Sequence, residues 1–549
     1  MQRVTRSSIV YRTPFPVAAG VVLATLVVAS LAAQSGTPAV PVPEFGVDKQ
    51  ILMRGAVASS PRRPATPSQP LGSMTPQERR AAIDTYWGEG ESTATKLAIF
   101  DKFWQSVDAR FAAFQGIDVD WRALRARYRP EVAAGASRGR FAAIMNHLAV
   151  LLRDSHSQAD DLLVNIWTVP GPGVPLLGAG GWEADPSGAC MTALDDGSAL
   201  VYSVVPHHPL GLQRGDVILG YDGQPWRQLY SELLKEEVPL WPLWWGTSPS
   251  SFDHSFVMAA GQSLHLFTTM DIRKHDTGQI VHVPTNLMTG AIWEGFCSEQ
   301  MDIPGVPKPT YYGEDYVRWG VVDGTKIGYV YVWGWLGSAV DGFAEAVYQL
   351  TQVQHVDGLI IDFRFNTGGF MLAPFRGLGA LSSHPVPTTG MDKRLTATDH
   401  FKMKKLFPPS YFLLDFDNWS TSRLGLKVTP SYEGPVALLT GPGAISAGDF
   451  GAVWATSLPR ARSFGKSTSM ALGLPTQPFL GTELDLGPDW FARIAETNTY
   501  AIGAPRDFLI HTEFPVDESV WLTPDDVAAG KDTVVATALR WLQRQIGVR

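Results

Sequence analysis

The chain of 549 residues is too long for a single hydrophobic core, so its length predicts more than one folded unit. Hydrophobic residues make up 45% of it and charged residues 18%, which is typical of globular proteins, and the formal net charge is −8. An acidic chain presents no basic field to a nucleic acid, so DNA and RNA are not expected partners.

Cys190 and Cys297 are the only cysteines, and none of the 12 histidines falls in a His-Glu-x-x-His pattern. Two cysteines so far apart cannot form a cysteine-rich zinc site, and we expect neither a metal nor an organic cofactor. In an oxidising compartment the two cysteines could form one disulfide, and the alternative is two separate buried thiols. The sequence leaves both open.

Residues 1–33 have the layout of a secretory signal peptide. Arginines precede an uncharged apolar run from Val17 to Leu31, and small residues surround Ala32. We therefore expect an exported protein, periplasmic or secreted. The run is short for a membrane-spanning helix, but a signal segment that is not cleaved would anchor the protein to the membrane.

Residues 34–94 are rich in Pro, Ala, Ser and Gly and predict a disordered linker. Residues 95–164 predict a helical N-terminal subdomain, because apolar side chains recur there at helical spacing. The clearest set is Phe141, Ile144, Met145, Leu148 and Leu152. This helix leads into a polar turn that contains Ser155 and His156.

Residues 165–310 change to short apolar runs bounded by turn residues, which predicts a small β-rich domain. Two such runs are 200–205 and 263–267. The stretch 212–219, followed by Asp-Gly, resembles the Gly-Asp-x-Ile-Leu signature of bacterial PDZ domains. The alternative is an ordinary strand and turn. A PDZ-like domain implies a polypeptide partner, whose C-terminus the domain would capture.

Residues 311–549 predict an α/β core. A strand-like run at 327–332, a helix-like run at 343–352 and a buried strand at 358–362 follow the order of a βαβ unit. Another strand is predicted at 435–439. A capped helix closes the chain.

Two turns in this core contain candidate catalytic residues. Gly368 and Gly369 follow the strand that ends at Asp362, and glycines let backbone N–H groups face an oxyanion that a side chain would exclude. Ser446 stands where the strand at 435–439 turns into a helix-like run, with the amide of Ala447 beside it. A serine there has an exposed hydroxyl next to an anion-binding helix start.

Taken together, Asp-x-Arg-x-Asn-x-Gly-Gly and the Ser-Ala-Gly-Asp turn resemble the tail-specific (C-terminal-processing) peptidases, the tricorn core protease and the retinoid-binding interphotoreceptor proteins. The resemblance covers about residues 95–545. It implies an α/β fold with a crotonase-like (ββα) catalytic core, an inserted PDZ-like domain and a helical N-terminal subdomain. It also implies a serine peptidase that acts on polypeptides without a cofactor.

The resemblance offers two candidates for the general base. Lys466 resembles the lysine of the tail-specific branch but comes several residues early, and the expected position falls near Ala471 instead. Its hydroxyl-bearing neighbours predict a solvated lysine, whereas a lysine base needs deep desolvation. Ser155 and His156 match the Ser-His pair of the tricorn-like branch, although such a pair could simply cap a helix. An imidazole accepts a proton near neutral pH without extreme burial.

The implied mechanism proceeds through an acyl-enzyme. In it Ser446 is the nucleophile and His156 is the base. Glu513 and Ser155 orient the site. The amides of Gly368 or Gly369 and of Ala447 bind the oxyanion. Glu513 matches the glutamate of the tricorn-like tetrad, although Pro515 and Glu518 replace the Gly and Pro expected after it. Two alternatives stay open: a catalytically silent scaffold that binds an apolar ligand or a polypeptide tail, and an esterase that uses the same apparatus.

Overall fold

The computed structural model describes residues 70–165, 173–179, 187–235, 237–241, 245–290, 292, 297–308, 316–382, 386–395, 399–400, 402–407, 411–412, 421, 423–425, 432–474, 484–504 and 507–547. The signal-like segment 1–33 and residues 34–69 of the predicted linker lie outside these ranges.

Four helices form the N-terminal part: α1 (Pro76–Trp87), α2 (Thr93–Arg110), α3 (Trp121–Ala133) and α4 (Arg138–Leu151). The prediction that the linker extends to residue 94 is wrong, because α1 lies inside it. Thr75 and Glu78 form a capping box at its start, and Ile83 and Trp87 pack closely over Gly139 of α4. A polar helix that is held by its cap and by tertiary contacts has a composition close to that of a linker.

Helix α4 buries the apolar face that its spacing predicts, and its other faces are buried as well along almost its whole length. After α4 the chain passes through residues 154–157 into strand β1 (Gln158–Asp161), which pairs antiparallel with residues 490–493 of the core. The turn that carries Ser155 and His156 is therefore fixed between a buried helix and a strand.

The β-rich domain lies where the sequence predicts it. Its elements are β2 (Leu177–Gly178), β3 (Ala189–Ala193), β4 (Ala199–Val204), β5 (Val217–Tyr221), β6 (Gln224–Pro225), α5 (Trp226–Lys235), β7 (Leu240–Trp241), α6 (Pro249–Met258), β8 (Thr269–Arg273) and β9 (Ile280–Pro284). The main sheet has the order β3-β4-β5-β8-β9, and its neighbouring strands are antiparallel. The stretch 212–219 leads into β5, as expected, and the turn to β6 has positive φ at Asp222 and Gly223.

The strand expected at 263–267 is absent, because Gly261–Leu266 is a 3₁₀ helix. Ser263 Oγ accepts a hydrogen bond from the N–H of Gly178, and Gln262 packs over the same glycine. These tertiary contacts select the tighter turn, which a run of five residues does not specify by itself.

Cys190 of β3 and Cys297 form a disulfide. This outcome decides between the two alternatives that the sequence left open. The bond ties the β-rich sheet to the segment that enters the core, and both cysteines pack in a hydrophobic cluster shared with the core sheet.

The core is built on a six-stranded sheet with the order β10-β11-β12-β17-β18-β21. Its strands are β10 (Val317–Val321), β11 (Ile327–Val332), β12 (Gly358–Asp362), β17 (Val436–Thr440), β18 (Ala461–Gly465) and β21 (Glu518–Ser519), and the smaller strands are β13 (Val386–Pro387), β14 (Gly390–Arg394), β15 (Met403–Phe407), β16 (Tyr411–Phe412), β19 (Trp490–Arg493) and β20 (Thr497–Tyr500). All strands of the main sheet are parallel except β10.

The core helices are α7 (Ala339–Tyr348), α8 (Pro374–Leu378), α9 (Ala447–Ala455), α10 (Pro524–Ala528) and α11 (Thr533–Gly547). Helix α7 follows β11 and precedes β12, so the predicted βαβ unit is confirmed. Side chains of α7 and α9 pack with one face of the sheet, while those of α11 and the β-rich domain pack with the other.

A buried arginine holds the end of β12. Arg364 has no exposed surface, and its guanidinium contacts Asp362 at 2.8 Å and Asp532 at 2.9 Å. Asp532 also accepts the amides of Val534 and Val535 at the start of α11. The charged pair in the Asp-x-Arg motif therefore anchors the C-terminal helix to the sheet.

Removing Asp532 should strongly destabilise the protein, because Arg364 would keep only one of its two carboxylate partners. We expect Asp532→Ala to lower the free energy of unfolding by about 3–5 kcal/mol. Urea unfolding followed by fluorescence would measure the loss. The control Glu518→Gln breaks the exposed pair with Arg462 and should cost at most about 1 kcal/mol. Equal losses in both variants would contradict the role of Arg364.

Candidate active site

The loops that follow β12 and β17 meet at the carboxyl edge of the sheet. The two strands are parallel neighbours, so both loops leave the same edge. Ile445 donates its N–H to the carbonyl of Asn366 at 2.9 Å. A Cβ atom on Gly368 would lie 2.7 Å from the Cβ of Ser446, and Gly368 has a φ of 86°. Only a glycine allows this approach.

Ser446 occupies a strained turn. Its φ is 59° and its ψ is −120°, although it is not a glycine, and α9 begins at the next residue. Ser446 is partly exposed, whereas Ile445 and Ala447 on either side are buried. Strain of this kind is tolerated where the surroundings fix the backbone, and it presents the hydroxyl at the surface of the site.

Hydrogen bonds to the side chain of Asp449 hold the same turn. Its buried carboxylate accepts the N–H groups of Met470 at 2.7 Å and Ala471 at 2.9 Å, and the amide of Ser446 also donates to it. Burial raises the pKa of Asp449 to about 7, while these hydrogen bonds oppose the rise. Asp449 is the last residue of the Ser-Ala-Gly-Asp turn, but the sequence pattern by itself indicates no role for it.

His156 lies on a turn that its own backbone stabilises. The amide of His156 donates to Asp154 Oδ1 at 2.7 Å, and Ser155 and Asp154 are fully buried. Burial lowers the pKa of the His156 ring to about 3, the charge of Arg493 lowers it further, and a hydrogen bond to the backbone of Gly473 opposes both effects. The ring is therefore neutral at physiological pH.

Residues 469–473 connect the two turns. The N–H of Ser469 donates to the carbonyl of Ala444, just before Ser446, and the following two amides bind Asp449. At the other end, Gly473 meets His156. One short segment thus contacts both the serine turn and the histidine turn.

The three amides predicted to hold an oxyanion are not equivalent. The N–H of Gly368 donates to Asn366 Oδ1 at 3.1 Å, so it is already used within its own loop. The amides of Gly369 and Ala447 have no acceptor among the residues that the structure describes. A Cβ on Gly369 would lie 2.5 Å from the carbonyl of Trp335, which requires glycine there. Two of the three predicted amides remain available.

Lys466 lies away from this group. Its ammonium donates to the carbonyl of Ala193 at 3.0 Å and lies 3.4 Å from Asp195, in contact with the β-rich domain. The prediction that Lys466 is solvated is wrong, because burial lowers the pKa of its ammonium group. The neighbouring hydroxyls of Ser467 and Ser469 are also buried and make hydrogen bonds within the protein. The nearby Ala471, at the expected lysine position, contacts Asp449.

Glu513 is exposed, and its carboxylate bonds the N–H of Ser250 at 2.8 Å and the Oγ of Ser250 at 2.6 Å. It therefore caps the first turn of α6, where a negative charge is stabilised by the helix dipole. The direct partner of Glu513 is α6 and not the Ser155–His156 turn, so any orienting effect on that turn passes through the helix.

Within the described ranges, no helix has the length and apolar character needed to span a bilayer, and no group of three or more His, Cys, Asp or Glu side chains could hold a metal ion.

Two parts of the chain match known protein families. Residues 326–486 match the model of Peptidase family S41, and residues 92–149 match that of the Tricorn protease C1 domain. The protein is a serine-type peptidase, and residues 326–486 of it are similar to Peptidase family S41. The resemblance predicted from the sequence is thus confirmed, and the S41 match contains β11, β12, β17 and Ser446.

Solved structures show the same fold. Mature CPAF complexed with lactacystin shares 13% identity over 83% of this chain and 98% of its own, with a TM-score of 0.52. Mature CPAF shares 14% identity over 82% of this chain and 96% of its own, with a TM-score of 0.51. No curated protein matches the chain significantly. The predicted fold class, an α/β protein with a crotonase-like core, is confirmed, while the PDZ-like character of the β-rich domain stays a prediction.

The buried carboxyl of Asp154 makes the stability of this peptidase depend on pH. Burial raises its pKa from 3.8 to about 7, and its Oδ2 has no hydrogen-bond partner among the described residues. The folded state keeps a proton that the unfolded state has lost, so the free energy of unfolding falls as pH rises from about 4 to about 7. The full effect is roughly 4 kcal/mol.

Asp154→Asn removes this ionisation and keeps the oxygen that accepts the His156 amide. We expect its melting temperature to rise relative to that of the wild type when the pH changes from 5 to 8.5. Differential scanning calorimetry at both pH values would measure the change. The same difference between the two proteins at both pH values would contradict the buried, protonated state of Asp154.

Proposed function

We propose that this peptidase is an exported endopeptidase that cleaves polypeptides through an acyl-enzyme on Ser446. The supporting observation is the turn itself: a partly exposed serine in a strained conformation, beside the amides of Gly369 and Ala447, which have no acceptor among the described residues. Such a turn combines a nucleophile with a pre-formed site for negative charge.

In the proposed reaction, Ser446 Oγ attacks the carbonyl carbon of a peptide bond and its proton passes to the neutral ring of His156. The amides of Gly369 and Ala447 hold the resulting oxyanion. His156 then gives the proton to the leaving amine as the C–N bond breaks, and a water molecule repeats the sequence to release the acyl group. The low pKa of His156 keeps its ring in the form that can accept a proton.

Ser155 and Glu513 act in this proposal by positioning. Ser155 is the buried neighbour of His156, and Arg493 donates to its carbonyl at 3.0 Å. Glu513 secures α6 through Ser250. Lys466 serves the contact with the β-rich domain and is not the base.

Export is supported by the signal-like segment 1–33 and by the Cys190–Cys297 disulfide, since disulfides persist mainly in oxidising compartments. The protein would then act in the periplasm or outside the cell. If segment 1–33 were not cleaved, it would hold the peptidase at the membrane.

We also propose that the β-rich domain binds the polypeptide substrate by its C-terminus, on the strength of the PDZ-like stretch 212–219. Helix α6 packs against β3, an outer strand of the sheet to which an extended peptide would add. Titration with peptides that differ only in a free or amidated C-terminus tests this part. Equal affinities would remove the tail-binding role and leave the peptidase proposal intact.

Ser446→Ala should abolish covalent labelling by a fluorophosphonate and lower peptide hydrolysis by roughly 10³-fold or more, with little change in melting temperature. His156→Ala should lower hydrolysis to a similar extent, because the serine proton would have no acceptor. Lys466→Met should keep most of the activity.

Steady-state kinetics on these three variants would decide between the alternatives. Labelling that persists in Ser446→Ala would remove Ser446 as the nucleophile. An inactive Lys466→Met beside an active His156→Ala would make the enzyme a Ser-Lys peptidase. A wild-type protein that neither labels nor hydrolyses would favour the silent binding scaffold, and hydrolysis of esters alone would favour the esterase.

The acid limb of the kcat/KM profile should lie well below pH 6.5, because the pKa of His156 is about 3. Arg493 contributes to that low value by its charge. Arg493→Gln should therefore raise the pKa of His156 and move the acid limb to higher pH. Arg80→Gln, which removes an exposed arginine on α1, should leave the limb in place. If the limb stayed unchanged in Arg493→Gln, His156 would not be the titrating base.

A further inference from the structure

The turn that precedes α6 belongs to the β-rich domain but reaches both halves of the proposed site. Thr247 is almost fully buried, and its N–H donates to the carbonyl of Ser469 at 2.9 Å. Its Oγ1 accepts the N–H of Ser155 at 3.1 Å and lies 3.5 Å from the Oγ of Ser155. A single residue of the inserted domain therefore contacts the histidine turn with its hydroxyl and the core with its backbone.

On the core side of this contact, hydrogen bonds connect Ser469 with the residues around the proposed nucleophile. Ser469, which accepts from Thr247, donates its own N–H to the carbonyl of Ala444, two residues before Ser446. The next two amides bind the carboxylate of Asp449, which holds the Ser446 turn. The hydrogen bonds thus run without interruption from Ser155 through Thr247 and Ser469 to the elements around Ser446.

Neighbouring contacts hold the turn itself in place. Ser248 donates its N–H to the carbonyl of Ser469 at 2.7 Å, and its hydroxyl donates to the carbonyl of Thr468 at 2.9 Å. Glu513 caps the helix that begins at the next residue. The backbone of the turn is therefore fixed to the core, and the hydroxyl of Thr247 is what transmits that position to Ser155.

We propose that Thr247 is a positioning residue, which sets the place of the Ser155–His156 turn relative to Ser446. This role rests on the proposed function. The N–H of Ser155 is buried, so without the hydroxyl it would lose its acceptor and the turn would shift to find another. A displacement of about 1 Å between reacting groups lowers a rate by roughly 100-fold, while substrate binding need not change. The β-rich domain thereby completes the catalytic site as well as lying beside it.

The test compares Thr247→Val, which removes the hydroxyl and keeps the shape, with Thr247→Ser, which keeps the hydroxyl. Thr285→Val is the matched control. Thr285 is also a buried threonine of the β-rich domain, and its hydroxyl donates to the carbonyl of Phe267. The measurements are kcat and KM with a small activated ester, the rate of fluorophosphonate labelling, and the melting temperature.

We expect Thr247→Val to lower kcat and the labelling rate by roughly 10- to 100-fold with KM nearly unchanged. Thr247→Ser should restore both, and Thr285→Val should lose stability without losing kcat. If Thr247→Val does not fold, Thr247→Ala provides the same comparison with a smaller side chain.

Two outcomes would overturn the role of Thr247 while the proposed function stands. One is a wild-type kcat in a folded variant without the hydroxyl, and the other is an equal loss of kcat in Thr285→Val. Absence of labelling in the wild-type protein is distinguishable from both, because it would remove the proposed function and this role together.

Discussion

The close contact between Gly368 and Ser446 is the constraint on which the site depends. The two loops approach so closely that a single added methyl group would lie 2.7 Å from the serine Cβ. This approach holds the strained serine turn against the neighbouring loop. It also brings the amides of Gly369 and Ala447 to the same edge of the sheet. The proposed nucleophile and the proposed anion site are therefore both positioned by backbone packing.

Most residues of the Asp-x-Arg-x-Asn-x-Gly-Gly motif support this contact without reacting. Asp362 and Arg364 form a buried ion pair that anchors α11, and Asn366 binds the N–H of Gly368 and the carbonyl of Val332. Buried charges and amides need complete sets of partners, so their geometry is strongly specified. The motif is a scaffold that fixes the loop, and the amide of Gly369 at its end has no acceptor among the described residues.

The proposed site lies where three parts of the chain meet. The helical subdomain supplies His156, the core supplies Ser446, and the turn before α6 of the β-rich domain lies between them through Thr247. Backbone N–H groups make most of these contacts, and the hydroxyls of Thr247 and Ser248 add to them. Such junctions are specific in geometry but weak in net energy, because each hydrogen bond replaces one with water. Small movements of the β-rich domain would therefore affect the histidine turn directly.

The sequence by itself determined the α/β core, the order of the domains and the serine turn, because strand periodicity and glycine positions are local properties of the chain. It also predicted the Ser155–His156 turn at the end of a buried helix. Only the tertiary structure decided that Lys466 faces the β-rich domain, that Glu513 caps α6 and that a helix lies inside the predicted linker. These outcomes depend on which distant groups supply hydrogen bonds and charges, and spacing along a chain does not record distances between its folded parts.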